Sequence, residues 1–496
     1  MKPYNSQKAY HHRQAQRRKR RLQQKLPIIF LSILLILVLG SGFIIIKNQL
    51  KGQKHRSGTS MAGSQENQET QAPQPGTEAG EPVIQESGEE TSAAISIDLT
   101  SEVDGILVEA EKAALCYDYD RAIELLQNSG YLGTDPEVDQ AVAQYEEIRN
   151  SLKPFDLNKI THVFFHTLVM DESKAFDGDE DEKGYNQVMT TRDEFLKILQ
   201  SMYDRGFVLV RLHDIAHEVI GEDGTARMER GTILLPEGKQ PFVMSQDDVC
   251  YYDYMEGDGF AYRMVIGEDG KPTCQMKMDD GSISTGSYDL VPILEDFIQE
   301  HPDFSYKGAR AVIAFTGYQG ILGYRTAASY STSPTFDQDC QDAAAVAQCL
   351  RDNGWELASH SWGHRDLGNI EYEKFIADSN KWENEVKSLI GPTDIILFPF
   401  GADVGDWHPY THENKRFQYL WDLGFRYFCN VDSNQYWIQF GTDFMRQGRR
   451  NLDGFRMWQD IVAGTDTTGN SKRRLDDLFR AEDVFSPNRP TPVLWE

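Results

Sequence analysis

The chain has 496 residues, 40% of them hydrophobic and 26% charged, with 50 Lys and Arg against 77 Asp and Glu. That apolar content excludes a wholly disordered chain. The net charge of −27 argues against a nucleic-acid binder, because phosphate contacts need a basic surface.

Charge is unevenly spread. Residues 1–56 hold 13 Lys and Arg and no Asp or Glu. Within them, residues 26–46 form an uncharged apolar run of 21 residues, enough to cross a hydrocarbon layer of about 30 Å as a helix. The run is too long for a typical signal-peptide core, and no A-x-A cleavage site follows it. More basic residues precede it than follow it closely. The positive-inside rule therefore predicts a cytosolic tail at 1–25 and an uncleaved, single-pass signal anchor at 26–46 in the cell membrane, with the remainder extracellular.

Residues 47–101 are rich in Gly, Ser, Thr, Gln, Glu and Pro and nearly free of aromatics, which predicts a disordered linker. At 102–153, Val103, Ile106, Leu107 and Ala110, then Ala122, Ile123, Leu125 and Leu126, recur at helical spacing. This small unit resembles a single tetratricopeptide-type hairpin, too little for a solenoid. A spacer and a protein-partner module are both open to it.

From 154 to 496, strand and helix patterns alternate. Strands are expected at 160–166, 207–212, 241–248, 311–317, 355–360, 394–401 and 425–431. Helices are expected at 191–206, 213–220 and 342–354. Repeated strand–helix units imply a parallel sheet, and about 340 residues of them suggest an α/β barrel. In such barrels the chemistry sits where strands end. Residues 251–289 interrupt the rhythm with a hairpin turning at Glu268-Asp269-Gly270. A Ser/Thr-rich loop does the same at 324–338.

Six cysteines without a C-x-x-C leave disulfides open and make a thiolate zinc site unlikely. The Walker loop, G-x-G-x-x-G, G-x-S-x-G and H-E-x-x-H are all missing from the sequence, which removes the common nucleotide, serine-hydrolase and zincin readings. The acidic run 177–182 starts like a calcium loop but lacks its Gly and its final Glu, and reads as a solvated loop. His213 and His217, four residues apart without paired carboxylates, read as structural.

The strongest constellation is Asp247-Asp248 at one strand end and His360-Ser361-Trp362-Gly363-His364 at another. Imidazoles four apart can share one side of a turn, and a carboxylate from elsewhere completes three ligands while a fourth position stays open for water. A second carboxylate beside the ligand can serve as base. Tyr251, Tyr252, Trp362 and Trp407 are candidates either for stacking on a bound ligand or for packing.

On these residues, the stretch from about 159 to 456 resembles the polysaccharide deacetylase family (NodB-homology, carbohydrate esterase family 4). Ser245-Gln246-Asp247-Asp248 is similar to its T-F-D-D motif, His360 to His364 matches its H-[ST]-x-x-H motif, and Phe398-Pro399-Phe400-Gly401 resembles its third motif. Phe164-Phe165-His166 is similar to the first-strand segment of many members. The resemblance implies a distorted (β/α) barrel that removes N-acetyl groups from an extracellular or cell-wall polysaccharide or peptidoglycan. It implies a divalent metal on Asp248, His360 and His364, expected to be Zn, with Co, Ni or Mn compatible with the same donors. Asp247 is then the catalytic base, and Pro399 and Phe400 line the substrate and oxyanion side. Three departures stand out. Gln246 replaces an aromatic, the third motif's Arg aligns with Leu397, and the late His that acts as general acid has no counterpart. His408 and His412 are candidate substitutes. These losses also admit a weakened or inactive glycan-binding or scaffolding module.

Overall fold

The computed structural model describes residues 102–405, 408–468 and 471–495, all within one unit that spans 98–496. The basic tail, the apolar run at 26–46 and the 47–101 linker lie outside the described residues, as does Trp407. Among the described residues no helix is long and apolar enough to cross a membrane.

Three helices come first: α1 (Glu102–Leu115), α2 (Tyr119–Gln127) and α3 (Pro136–Ser151). Asp118 and Asp135 accept the free backbone N–H groups at the starts of α2 and α3. Ala110, Ala122, Leu126 and Val138 close a small core between them.

The barrel strands follow: β1 (Thr161–Phe165), β2 (Phe207–Leu209), β3 (Gln240–Gln246), β4 (Val312–Phe315), β5 (Glu356–Ser359), β6 (Ile395–Leu397), β7 (Tyr427–Val431), β8 (Ile438–Phe440) and β9 (Met445–Asn451). Seven of them close a parallel barrel in chain order, β1-β3-β4-β5-β6-β7-β9 and back to β1. β2 pairs only with the first half of β3, at Gln240–Phe242, whereas β4 pairs with its end, at Ser245 and Gln246. β8 pairs antiparallel with the first residues of β9, at Met445–Gln447.

Alternation sorts the side chains. Val243, Ala314, Ala358, Leu397, Cys429 and Met445 form one buried cluster inside the barrel. Their neighbours Met244, Phe315, Leu357, Ile396 and Phe428 belong to the outer cluster, against the surrounding helices. The helix α4 (Arg192–Asp204) shows how sequence builds that outer layer. Phe195, Ile198, Leu199 and Met202 fall on one face and are fully buried, each worth about 1.5–3 kcal/mol against exposure. Thr191 and Glu194 form a reciprocal capping box at its start. The same outer cluster takes side chains from α5 (Leu290–Glu300), α6 (Phe336–Asp352), α7 (Tyr372–Trp382), α8 (Lys415–Asp422) and α9 (Gly454–Thr465).

Two expectations need correction. The stretch 213–220 is helical only over Leu212–Ile215, and then Ala216–Ile220 pairs as a strand with Ala226–Arg230. The turn between them, Glu222-Asp223-Gly224, is closed by Gly221 and Thr225, so hairpin chemistry overrides the helical spacing. The second correction is β9 itself, which the sequence pattern concealed.

His213 is structural. Its imidazole bridges Glu356 and Asp394 at the starts of β5 and β6, the latter at 3.1 Å. Burial works to lower its pKa, but Asp394 and Glu356 outweigh burial and push it up to about 10. The ordinary value of about 6.5 in the unfolded chain is lower, so this stabilisation is complete below that pH and disappears as pH rises through the folded value. His213→Gln is therefore expected to lose stability most at pH 6, by no more than about 1 kcal/mol at this half-exposed site. The difference should shrink towards pH 10, as read by urea unfolding.

Candidate metal centre

The functional side chains sit at the C-terminal ends of the strands. Asp247 and Asp248 follow β3, His360 follows β5, Pro399 and Phe400 follow β6, and Arg449 lies near the end of β9. Ladder bonds continue into these ends: Asp247 N–H to the Phe165 carbonyl, His360 N–H to Phe315, and Phe398 N–H to Cys429. Of the eight non-glycine residues with positive φ among the described residues, five are here: Asp248, Tyr251, Ser361, His364 and Phe400. Such backbone costs about 1–3 kcal/mol per residue and persists where surrounding structure enforces it. Asp378 of α7 supplies much of that enforcement, accepting the Trp362 and Gly363 N–H groups at 2.9 and 2.8 Å.

Asp248, His360 and His364 present ligand atoms that all lie within 4.8 Å of one another. His364 Nε2 is 3.5 Å from Asp248 Oδ2, and His360 Nε2 is 3.7 Å from Asp247 Oδ2. Donors about 2.0–2.2 Å from one tetrahedral ion stand roughly 3.4 Å apart, so the spacing suits a shared cation. The tautomer suits it as well. His360 Nδ1 is 2.7 Å from the Leu397 carbonyl, which can only accept, so the hydrogen is on Nδ1 and the Nε2 lone pair faces the carboxylates. Burial lowers the pKa of His360 and favours that neutral ring. For Asp248, burial opposes ionisation, but the neighbouring imidazoles, His364 foremost, outweigh it and hold the carboxyl below its usual range. The residues present thus fit a divalent ion held by one oxygen and two nitrogens.

Asp247 is buried beside this group, and Arg449 donates to its Oδ1 at 2.7 Å. Burial would raise its pKa, but the Arg449 guanidinium more than offsets this, and the carboxyl is held well below the ordinary range. Arg449 is fully buried, lies 4.4 Å over the Phe164 ring, and reaches Ser245 Oγ at 3.3 Å. The position aligned with the expected arginine, Leu397, instead faces the barrel core. The carboxylate's cation comes from β9, two strands further round. No periodic signal in Met445–Asn451 pointed to it.

His166, directly after β1, is the second residue whose place the sequence left open. Its Nδ1 is 3.1 Å from the Val188 carbonyl, so that nitrogen carries hydrogen and Nε2 is the other ring donor or acceptor. It lies within electrostatic range of Asp247, Asp248 and Asp453. His412 is engaged at both ring nitrogens, by Gln418 at 2.6 Å and Asp443 at 2.9 Å. His408 is exposed, and its carbonyl accepts from Arg446.

The aromatic candidates divide. Phe400 is 71% exposed and edges onto His364 at 4.5 Å. Tyr251 is buried with its hydroxyl on Asp289, so it is no sugar platform. Trp362 donates its indole N–H to Glu385 and carries the Lys381 ammonium 3.8 Å over its ring, so that face is covered. Gln246 stands where an aromatic was expected because its amide donates to buried Asp289. Asp289 also takes Tyr251 O–H and Leu168 N–H, tying the end of β3 to the start of α5. The acidic loop brings Asp179 and Asp181 within 4.8 Å of buried Asp258.

Residues 326–427 match the family model of polysaccharide deacetylases, which covers His360, His364, Pro399 and Phe400. Among solved structures, the chain is similar to "Streptococcus pyogenes deacetylase PplD in complex with acetate", at 11% identity and a TM-score of 0.32, over 61% of this chain and 94% of that one. No curated protein matches the sequence. Over residues 326–427 this chain is therefore similar to polysaccharide deacetylases.

Proposed function

We propose that the protein is a metal-dependent hydrolase that removes N-acetyl groups from a polysaccharide. The observation that carries this is the pairing of a three-donor group (Asp248, His360, His364) with a buried, arginine-held carboxylate, Asp247, beside it. A divalent ion bound there, Zn in the first instance, would supply Lewis acidity to the acetamide carbonyl and to water. Asp247, kept ionised and oriented by Arg449, would take the proton of the attacking water. As the C–N bond breaks and acetate leaves, His166 would give the departing nitrogen its proton, a role that suits its place beside both aspartates. Pro399 and the backbone N–H near Phe400 would flank the carbonyl oxygen.

The sequence supports a setting for this chemistry. The apolar run at 26–46 favours a membrane-anchored protein acting on an envelope glycan. The helices α1 to α3 support the same arrangement, because they dock on the rim that carries the strand starts. There Lys307 N–H donates to the Cys116 carbonyl at 2.7 Å, and Tyr117 O–H donates to the Asp303 carbonyl. The chain therefore enters the barrel on the face opposite the catalytic ends. Arg449 also removes one ground for a binding-only module, since the base has a cation despite Leu397.

The test is turnover. Zinc-loaded protein given N-acetylglucosamine oligomers and peptidoglycan fragments is expected to release acetate and free amine in equal amounts. His166→Gln should lower the rate by about 10²–10⁴-fold, the usual contribution of a positioned acid. Glycan bound without any acetate released would overturn the enzyme reading.

A further inference from the structure

Asp248 has two carboxylate oxygens with different surroundings. Oδ2 faces His364, whereas Oδ1 accepts the Tyr252 hydroxyl at 2.8 Å. Tyr252 Oη also lies 2.6 Å from Thr316 Oγ1, which in turn lies 3.1 Å from Cys250 Sγ. An ionised carboxylate can only accept, so the phenol hydrogen is committed to Asp248. Thr316 must then donate to Tyr252, and Cys250 can donate to Thr316. The hydroxyl hydrogens of Tyr252 and Thr316 thus both point towards Asp248.

The phenol cannot swing away. Tyr252 is 5% exposed and stacks between Tyr318, at 5.1 Å and 17°, and Tyr254, at 5.6 Å and 12°. Tyr254 lies parallel to Tyr185 at 6.4 Å, and the Tyr185 hydroxyl is anchored on Asp258. The left-handed Tyr251 and a bond from Cys250 N–H to the Asp248 carbonyl fold residue 252 back over residue 248.

Packing alone would be served by phenylalanine. A hydroxyl at this point has a further consequence, because a carboxylate with both oxygens free can rotate or chelate. We propose that Tyr252, backed by Thr316, is a positioning residue of the metal centre: it holds Asp248 by Oδ1 and leaves Oδ2 as the single oxygen donor towards His364 and His360. This rests on the metal reading above.

Tyr252→Phe in the full chain tests it, since the ring stack is kept and only the hydroxyl is lost. Zinc affinity is measured by competition with a chromophoric chelator, at a temperature where both metal-free chains are folded. The expected result is a loss of about 10- to 100-fold, the usual effect of removing an outer-shell partner. Thr316→Val should give a smaller loss in the same direction, and the visible spectrum of the cobalt-loaded variant should change with the altered oxygen ligation. Unchanged zinc affinity in Tyr252→Phe overturns the proposal even if the variant is less stable, because a purely structural hydroxyl leaves the affinity of the folded chain alone. Wild-type chain that binds no zinc would instead overturn the metal reading, and this inference with it.

Discussion

Asp248→Ala is expected to lose bound metal and acetate release together while keeping the barrel. Asp248 supplies the only oxygen in the three-donor group, and two imidazoles alone make a weaker and less defined site. Losing Lewis acidity worth several kcal/mol lowers the rate by about 10³-fold or more. Alanine also sits poorly at the left-handed φ of 59° found here, so Asp248→Asn, whose short amide tolerates that backbone, is the cleaner partner. Metal content by mass spectrometry, acetate release and circular dichroism measured on both variants check the expectation. A folded Asp248→Asn that keeps both its metal and its acetate release would remove Asp248 from the site.

Arg449→Met should have the largest effect on stability. The guanidinium and Asp247 are both buried, at 0% and 3% side-chain exposure, and 2.7 Å apart. Removing one charge of such a pair strands the other, at a cost of about 3–5 kcal/mol, whereas removing both is often close to neutral. The double variant Arg449→Met/Asp247→Asn is therefore expected to recover most of the stability lost by the single one. It should recover no activity, since the base is gone. Urea unfolding of the wild type, both single variants and the double variant measures the coupling, and a double variant no more stable than Arg449→Met would refute it. The pH dependence has a definite sign. The folded pKa of Asp247 lies below its unfolded value, so its stabilisation is present above pH 4 and disappears only as pH falls through the depressed value. Arg449→Met should accordingly unfold at a less acidic pH than wild type.

Legibility in the sequence followed burial. β1, β3, β4, β6 and β7 were visible as short apolar runs because both of their faces are covered, inside by the barrel and outside by helices. β9 was not, since Met-Arg-Gln-Gly-Arg-Arg-Asn looks like an exposed polar loop. The structure buries all three of its arginines by giving each a carboxylate: Asp403 for Arg446, Asp247 for Arg449 and Asp477 for Arg450. Hydrophobic periodicity cannot report a strand whose burial is bought with ion pairs.

The sequence by itself determined the alternating α/β class, the Asp247-Asp248 and His360/His364 pairs, and their placement at strand ends. Each of these is a local matter, set by residue type, spacing and the turn that follows a strand. Only the tertiary structure decided which distant groups complete them: Arg449 rather than a residue at 397, His166 beside the aspartates, Tyr252 on Asp248 and Asp289 beneath Gln246. A closed barrel brings its first and last strands together, β1 against β9. It therefore joins side chains nearly three hundred residues apart through contacts that no local spacing records.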